Sequence, residues 1–311
     1  MADVVLLGEA MLLLLAREPG PLAQVRSFDK GTAGAETNVA VGLARLGLTV
    51  RWASRLGADS MARYLLDTFE AEGIDCSHVE CDPAGRTGFM FKGRVDDGSD
   101  PPIEYHRAGS AASRLGPDAL DASWLTAARH LHVTGVFPAL SAATLAATRR
   151  AIALMRKAGR SVSFDPNLRP GLWPSVDAMR DTLNDLATGC QWVLPGLAEG
   201  QLLTGCDAPE DIAAYYLARG ARLVVVKLGA QGAWYDDGRQ RGHLPAMPVA
   251  RVVDTVGAGD AFAVGLVSAL LQGMSVPDAV RRALWIGARA VQVRGDTEGL
   301  PTRADLAAAG V

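Results

Sequence analysis

Short apolar runs alternate along the chain with longer stretches in which apolar side chains recur every three or four positions. This is the rhythm of βαβ units stacked around a largely parallel sheet. Val4 to Leu7 reads as the first strand. From Glu36 to Leu46, Val39, Leu43 and Leu46 share one helical face, and Gly47 is placed to end the helix. Arg51-Trp52-Ala53 opens the next strand; Asp59 or Ser60 then caps a helix with Leu65, Leu66 and Phe69 inward and Gly73 beyond its end. The unit repeats: Leu131 to Val136 is predicted as a strand, and Ser141 opens a helix with a stripe of Leu145, Thr148, Ile152 and Met155 before Gly159. Ser161-Val162-Ser163-Phe164 leads into Asp165, and Trp192-Val193-Leu194 and Leu223-Val224-Val225-Val226 read as two more buried strands. In a parallel sheet Asp165, Lys227 and Asp260, each following a strand-like run, gather at the carboxyl edge, where α/β proteins place ligands.

Residues 85–108 break this rhythm. Thr87 to Val95, the polar stretch Asp96-Asp97-Gly98-Ser99-Asp100 and Ile103 to Arg107 read as strand, turn, strand, with no helix between. Together with residues about 12–30 they predict a small antiparallel flap over the main sheet, able to exclude water as a lid. An ordinary edge hairpin fits the same pattern. The apolar run from Ala10 to Ala16 is too short to span a bilayer, and Asp3 and Glu9 stand where a secretory signal would carry positive charge, so it reads as a buried strand.

A chain of 311 residues suits one large α/β domain with an appendage better than two domains. Its 49% hydrophobic and 21% charged residues exclude wholesale disorder, and a net charge of -3 provides no global attraction to nucleic acid or acidic membranes. Small-molecule partners are expected. Cys76, Cys81, Cys190 and Cys206 show neither zinc-site spacing nor the density of a disulfide framework, which points to reduced thiols in the cytoplasm. His130 and His132 alternate as two side chains on one strand face rather than as a metal pair.

The stretch Val252 to Asp260, followed by apolar Ala261 to Val267, puts small residues and one carboxylate at the start of a helix. Backbone N–H groups of a first helical turn cradle an anion such as a phosphoryl group, and glycines admit the ligand closely. Asp260 beside that cradle can accept the proton of an attacking alcohol while the amides of Gly257, Ala258 and Gly259 form the anion hole. A small-residue loop with an N-cap aspartate fits the same spacing.

Asp254-Thr255-Val256-Gly257-Ala258-Gly259-Asp260-Ala261-Phe262 resembles the C-terminal signature of the ribokinase/PfkB family of carbohydrate kinases, and Gly34-Ala35-Glu36-Thr37-Asn38-Val39-Ala40 resembles its N-terminal signature. The resemblance covers essentially the whole chain. The segments Tyr105 to Ala112 and Phe164 to Trp173 are similar to the members of that family that act on 2-keto-3-deoxygluconate. The resemblance implies a ribokinase-like three-layer α/β sandwich over residues 1–311, with a mainly parallel central sheet and a small antiparallel β lid. The implied reaction is ATP-dependent phosphorylation of a sugar acid at its terminal hydroxyl. Asp260 would be the base; Asn167, Lys227, Gly229, Gly232, Gly257, Gly259 and Asp260 would contact ATP; Gly34, Phe89, Tyr105, Arg107, Arg169 and Asp296 would surround the sugar acid. Arg107 and Arg169 suit bidentate bonds to a carboxylate, which a neutral sugar would not demand, although each alone also fits a surface salt bridge.

Several positions depart from the family pattern. Ala33 replaces a second glycine, Phe89 a common tyrosine, and Gly196 the asparagine of an Asn-x-x-Glu motif, leaving Glu199 as an indirect partner of Mg2+. Asp254 is implied as a holder of a monovalent cation such as K+. Another sugar or nucleoside kinase of the same fold, and a non-catalytic sugar or nucleotide sensor, remain alternatives. A dehydrogenase fits less well, because Phe262 occupies the third glycine position of a G-x-G-x-x-G reading from Gly257. Apolar flap residues suit a second subunit, giving a homo-oligomer.

Overall fold

The computed structural model describes residues 1–95 and 101–311; the polar turn read at 96–100 lies outside the described residues. In chain order the elements are β1 (Ala2–Leu7), β2 (Met11–Ala16), β3 (Phe28–Ala33), α1 (Ala35–Arg45), β4 (Val50–Gly57), α2 (Ser60–Ala71), β5 (Asp75–Asp82), β6 (Gly88–Lys92) and β7 (Ile103–His106). They continue as α3 (Ala122–Thr126), β8 (Ala128–Thr134), α4 (Ala142–Lys157), β9 (Ser161–Asp165), α5 (Val176–Ala187), β10 (Trp192–Val193), α6 (Leu197–Thr204), α7 (Pro209–Leu217) and β11 (Leu223–Lys227). The chain closes with β12 (Ala233–Asp236), β13 (Arg241–Leu244), α8 (Ala258–Leu271), α9 (Val276–Ala290) and α10 (Arg303–Ala309).

The main sheet has the order β13-β12-β11-β10-β9-β8-β1-β4-β5, parallel from β11 to β5 and antiparallel at the β12 and β13 edge. Alternation along each strand feeds two cores. In β1, Val4 and Leu6 pack with α1, α2, α8 and α9, while Val5 and Leu7 pack with α4, α5 and α7. Helices on both faces make the three-layer sandwich. The caps follow local chemistry: Asp59 accepts from Ala62 N at 2.8 Å, and Ser141 forms a capping box with Thr144. The strand read to Val136 stops at Thr134, because Gly135 turns against Pro166, whose carbonyl oxygen lies 2.0 Å from where a Cβ would stand. His130 Nε2 and His132 Nδ1 each lie 2.7 Å from Ser163 Oγ, so both rings belong to the strand packing. Burial drives both well below the usual imidazole range and keeps them neutral.

The lid is a second sheet, β3-β2-β6-β7, with its own small core of Met11, Leu13, Ala33 and Met90. Its outer pairings are antiparallel as expected from the hairpin pattern, whereas β2 and β6 run parallel. The chain reaches β6 only after α1, β4, α2 and β5, a long crossover that brings β6 in alongside β2 in the same direction.

Candidate active site

The parallel strands deliver their ends to one edge, and a cavity of about 420 Å³ opens there between the main sheet and the lid. Asp165 ends β9 and Lys227 ends β11; Lys227 Nζ donates to Asp165 Oδ2 at 2.6 Å. Burial pushes the Asp165 carboxyl up, the Lys227 charge pulls it back, and it settles at about 6. Burial also works against the Lys227 ammonium, but the Asp165 and Glu199 carboxylates outweigh it and hold the lysine above its ordinary value.

Gly257 starts α8 in the left-handed region, φ +82°, with the Asp296 carbonyl oxygen 3.0 Å from where a Cβ would stand. A glycine is needed to turn the chain there. At Gly259 the nearest atom to a Cβ position is Lys227 Nζ at 3.5 Å, so the lysine ammonium adjoins the first turn of the helix. In the predicted anion hole, the Ala258 N–H is partly engaged, donating to Thr255 O at 3.3 Å. Asp260 lies in that first turn: Oδ2 accepts from Asn38 Nδ2 at 2.8 Å and Oδ1 from Asn167 Nδ2 at 3.2 Å. Asn167 reaches it from φ +39°, a conformation asparagine tolerates better than most residues. Burial first, then the Asp165 and Asp296 carboxylates, raise the Asp260 carboxyl to about 8, against the opposing pull of the Asn38 bond and Lys227. A carboxylate poised this close to working pH suits a general base.

The structure brings most of the predicted residues to this cavity: Gly34, Tyr105, Arg107, Asn167, Arg169, Glu199, Lys227, Gly257, Gly259, Asp260 and Asp296 line it. Gly34, φ +152°, is required by the Glu9 carbonyl oxygen only 2.4 Å from its Cβ position. Phe89 is a correction. It pairs with His106 and alternates with inward Met90 and Lys92, so its ring turns to the outer face and stacks on His106 at 4.6 Å. Its inner-face neighbour Met90 lines the cavity instead. Gly229 and Gly232 lie outside the lining, in the turn after Lys227. At Gly232, φ +98°, the Leu244 carbonyl oxygen is 2.0 Å from a Cβ position, so the β13 backbone already demands this glycine.

The two arginines differ. Arg107 Nε donates to Glu9 Oε2 at 2.6 Å, its terminal nitrogen contacts the same carboxylate, and Ser110 Oγ donates to the other Glu9 oxygen. Its charge is compensated within the protein. Arg169 donates only to the Leu168 carbonyl at 2.9 Å and forms no ion pair among the described residues. Glu199 caps α6 and holds the neighbouring loop, accepting from Gly196 N at 2.7 Å and Leu168 N at 2.8 Å. Its remaining lone pairs suit a hydrated ion rather than direct ligation; among the described residues no group of three or more His, Cys, Asp or Glu side chains is assembled to hold a metal. Asp254 is buried and paired with Lys92.

Asn38, Glu9 and Lys92 escaped the sequence reading. Lys92 left a signal, a charge at an inward position two residues after Met90 on a lid strand. Glu9 left one as an acid inside the apolar run from Leu6 to Leu15. Asn38 stands within the N-terminal signature, but only the fold shows that it touches Asp260.

The description of a pfkB family carbohydrate kinase matches residues 1–303, and the chain belongs to that family. It is 48% identical to the 2-dehydro-3-deoxygluconokinase of Bacillus subtilis strain 168, over 98% of this chain and 94% of that one. The solved PfkB protein of Polaromonas sp. JS666 is 61% identical, with a TM-score of 0.92 over 99% of this chain and 100% of that one. A putative ribokinase II from E. coli, solved in complex with ATP and Mg2+, superimposes with a TM-score of 0.91 at 26% identity, covering 99% and 98% of the two chains. No helix among the described residues is long and apolar enough to cross a membrane.

Proposed function

We propose that the protein transfers the γ-phosphoryl group of ATP to the terminal hydroxyl of 2-keto-3-deoxygluconate, giving 2-keto-3-deoxy-6-phosphogluconate. The observation that carries this reading is a guanidinium with no carboxylate partner among the described residues, Arg169, lining the same cavity as the buried base Asp260. The similarity to the Bacillus enzyme agrees with it. Arg169 binds the sugar carboxylate, with Arg107 held beside it by Glu9; Gly34, Tyr105 and Asp296 flank the hydroxyls. ATP lies along Lys227, Gly229 and Gly232, with its γ-phosphate toward the first turn of α8.

In the transfer, the hydroxyl oxygen forms a bond to phosphorus as the bond to the β–γ bridging oxygen breaks, and the hydroxyl proton passes to Asp260. Asn38 and Asn167 hold the two Asp260 oxygens in place. The Gly257 to Gly259 amides and the Lys227 ammonium offset charge on the transferred group. Glu199 would hold a Mg2+ ion arriving with ATP through water, and the ion would supply charge neutralisation of the phosphates.

ADP release measured over a panel of sugars tests the assignment. Arg169→Ala should lower kcat/KM for the sugar acid by roughly 10–100-fold, the value of a charged hydrogen-bonded pair, with KM for ATP changed by less than about twofold. Equal turnover of the sugar acid by the variant would remove Arg169 from recognition of the acid, and a preference of the wild type for fructose or ribose would leave a neutral-sugar kinase.

We also place the reaction in the cytoplasm, where the four free thiols stay reduced. The outer lid face carries Phe28, Phe89, Phe91 and His106 as one ring cluster, with Phe28 and Phe91 centroids 5.2 Å apart, and we assign it to a homodimer interface. Light scattering should give twice the chain mass, and Phe91→Asp should halve it; a wild-type monomer at micromolar concentration contradicts the assignment.

A further inference from the structure

The monovalent cation that the family resemblance attaches to Asp254 does not fit the residues around it. Lys92, 1% exposed, projects from the inner face of lid strand β6 and sets its ammonium 2.6 Å from Asp254 Oδ2 and 3.1 Å from Asp296 Oδ1. An ammonium carries the charge of an alkali cation on a compact head with three donors. A cation bound at the same carboxylate edge would meet it head-on. The other Asp254 oxygen is engaged as well, accepting from Val256 N at 3.1 Å.

We infer that the Lys92 ammonium is a built-in monovalent cation that positions both sides of the anion cradle from the lid. Through Asp254 it fixes the segment that enters Gly257, since Val256 is anchored on that carboxylate. Through Asp296 it fixes the segment that packs on Gly257, whose Cβ position lies 3.0 Å from the Asp296 carbonyl oxygen. Asn38 spans the same cluster, donating to Asp260 at 2.8 Å and to Asp296 at 3.5 Å. Since β6 also carries Met90 into the sugar cavity, one ion cluster assembles lid and cradle together. Lys92 touches no reacting atom and acts as a positioning residue. The inference rests on the reading that the start of α8 receives the transferred phosphoryl group.

Phosphotransfer by the wild type should be the same within about twofold in potassium, sodium and tetramethylammonium chloride at equal ionic strength. Lys92→Ala leaves a hole of cation size; kcat should fall by roughly 10–100-fold, the cost of a displaced cradle, with a smaller change in sugar KM. Potassium or ammonium at millimolar concentration should restore about tenfold of that loss, and tetramethylammonium none. Lys92→Met, which fills the space without the charge, should stay slow in every salt. Thermal unfolding without substrate gives a second readout: potassium should raise the melting temperature of Lys92→Ala and not of the wild type. Wild-type activation several-fold by potassium over tetramethylammonium overturns the inference whatever the variants do. So does a folded Lys92→Ala that no ion rescues in either assay. If 2-keto-3-deoxygluconate is not turned over but the melting responses appear as described, the substrate reading falls and the role of Lys92 stands.

Discussion

Asp260→Asn is expected to lower kcat by about 10²–10⁴-fold, the usual contribution of a positioned general base, while ATP binding changes by less than about twofold. The asparagine keeps the shape of the side chain and can still face Asn38 and Asn167, so the loss reports the proton acceptor rather than the packing. The same change should stabilise the fold in alkaline solution. The carboxyl is raised from 3.8 to about 8 by burial and by the Asp165 and Asp296 charges. Between these values the folded chain holds a proton that the unfolded chain has lost, so stability falls as pH rises through that window, and the full penalty is present above it. The variant lacks this penalty, and its melting temperature should exceed that of the wild type most clearly at about pH 9. Wild-type kcat/KM should rise with pH through a midpoint near 8 and level off above it, as the base loses its proton. Unimpaired turnover by Asp260→Asn would remove the residue from the chemistry.

Arg107→Ala should destabilise the protein by roughly 3–5 kcal/mol, since it strands the carboxylate of Glu9 without its partner in the interior. Glu9 is 1% exposed and the Arg107 side chain about 10%, so water does little to soften the loss. Urea unfolding would show it as a lower midpoint with an unchanged slope. The double variant with Glu9→Gln should recover much of the stability, because the stranded charge is then gone. Near-normal stability with a large rise in sugar KM would instead make Arg107 a free ligand for the substrate acid.

Much of this architecture is legible in local patterns. The alternation of apolar runs with helical stripes marks β1, β4, β8, β9 and β11 and the helices between them, and Asp59 and Ser141 cap where expected, because these features depend on neighbours within a turn or two. The convergence of Asp165 and Lys227 was also readable, since the parallel strands β9 and β11 deliver their ends to one edge; Asp260 joins them from the first turn of α8 instead, because the Val252-Val253 run before it forms no strand. Phe89 was misplaced because family likeness marks a position and not a face. Its alternation with Met90 and Lys92, once the register of β6 is known, turns the ring outward.

By itself, then, the chain's order of residues determined which segments become strand or helix and which carboxylate stands at a helix start, because backbone preference and side-chain period act over a few positions. Only the tertiary structure decided that β2 and β6 run parallel, that Glu9 neutralises Arg107 while Arg169 has no carboxylate partner among the described residues, and that Lys92 closes on Asp254 and Asp296. Those partners lie between 77 and 204 residues apart where the register and bonds are counted, as with Lys92 and Asp296 at 204 and Arg107 and Glu9 at 98. Charge pairing at such separations is set by how the layers stack and how burial strips water from the groups, which no local pattern encodes.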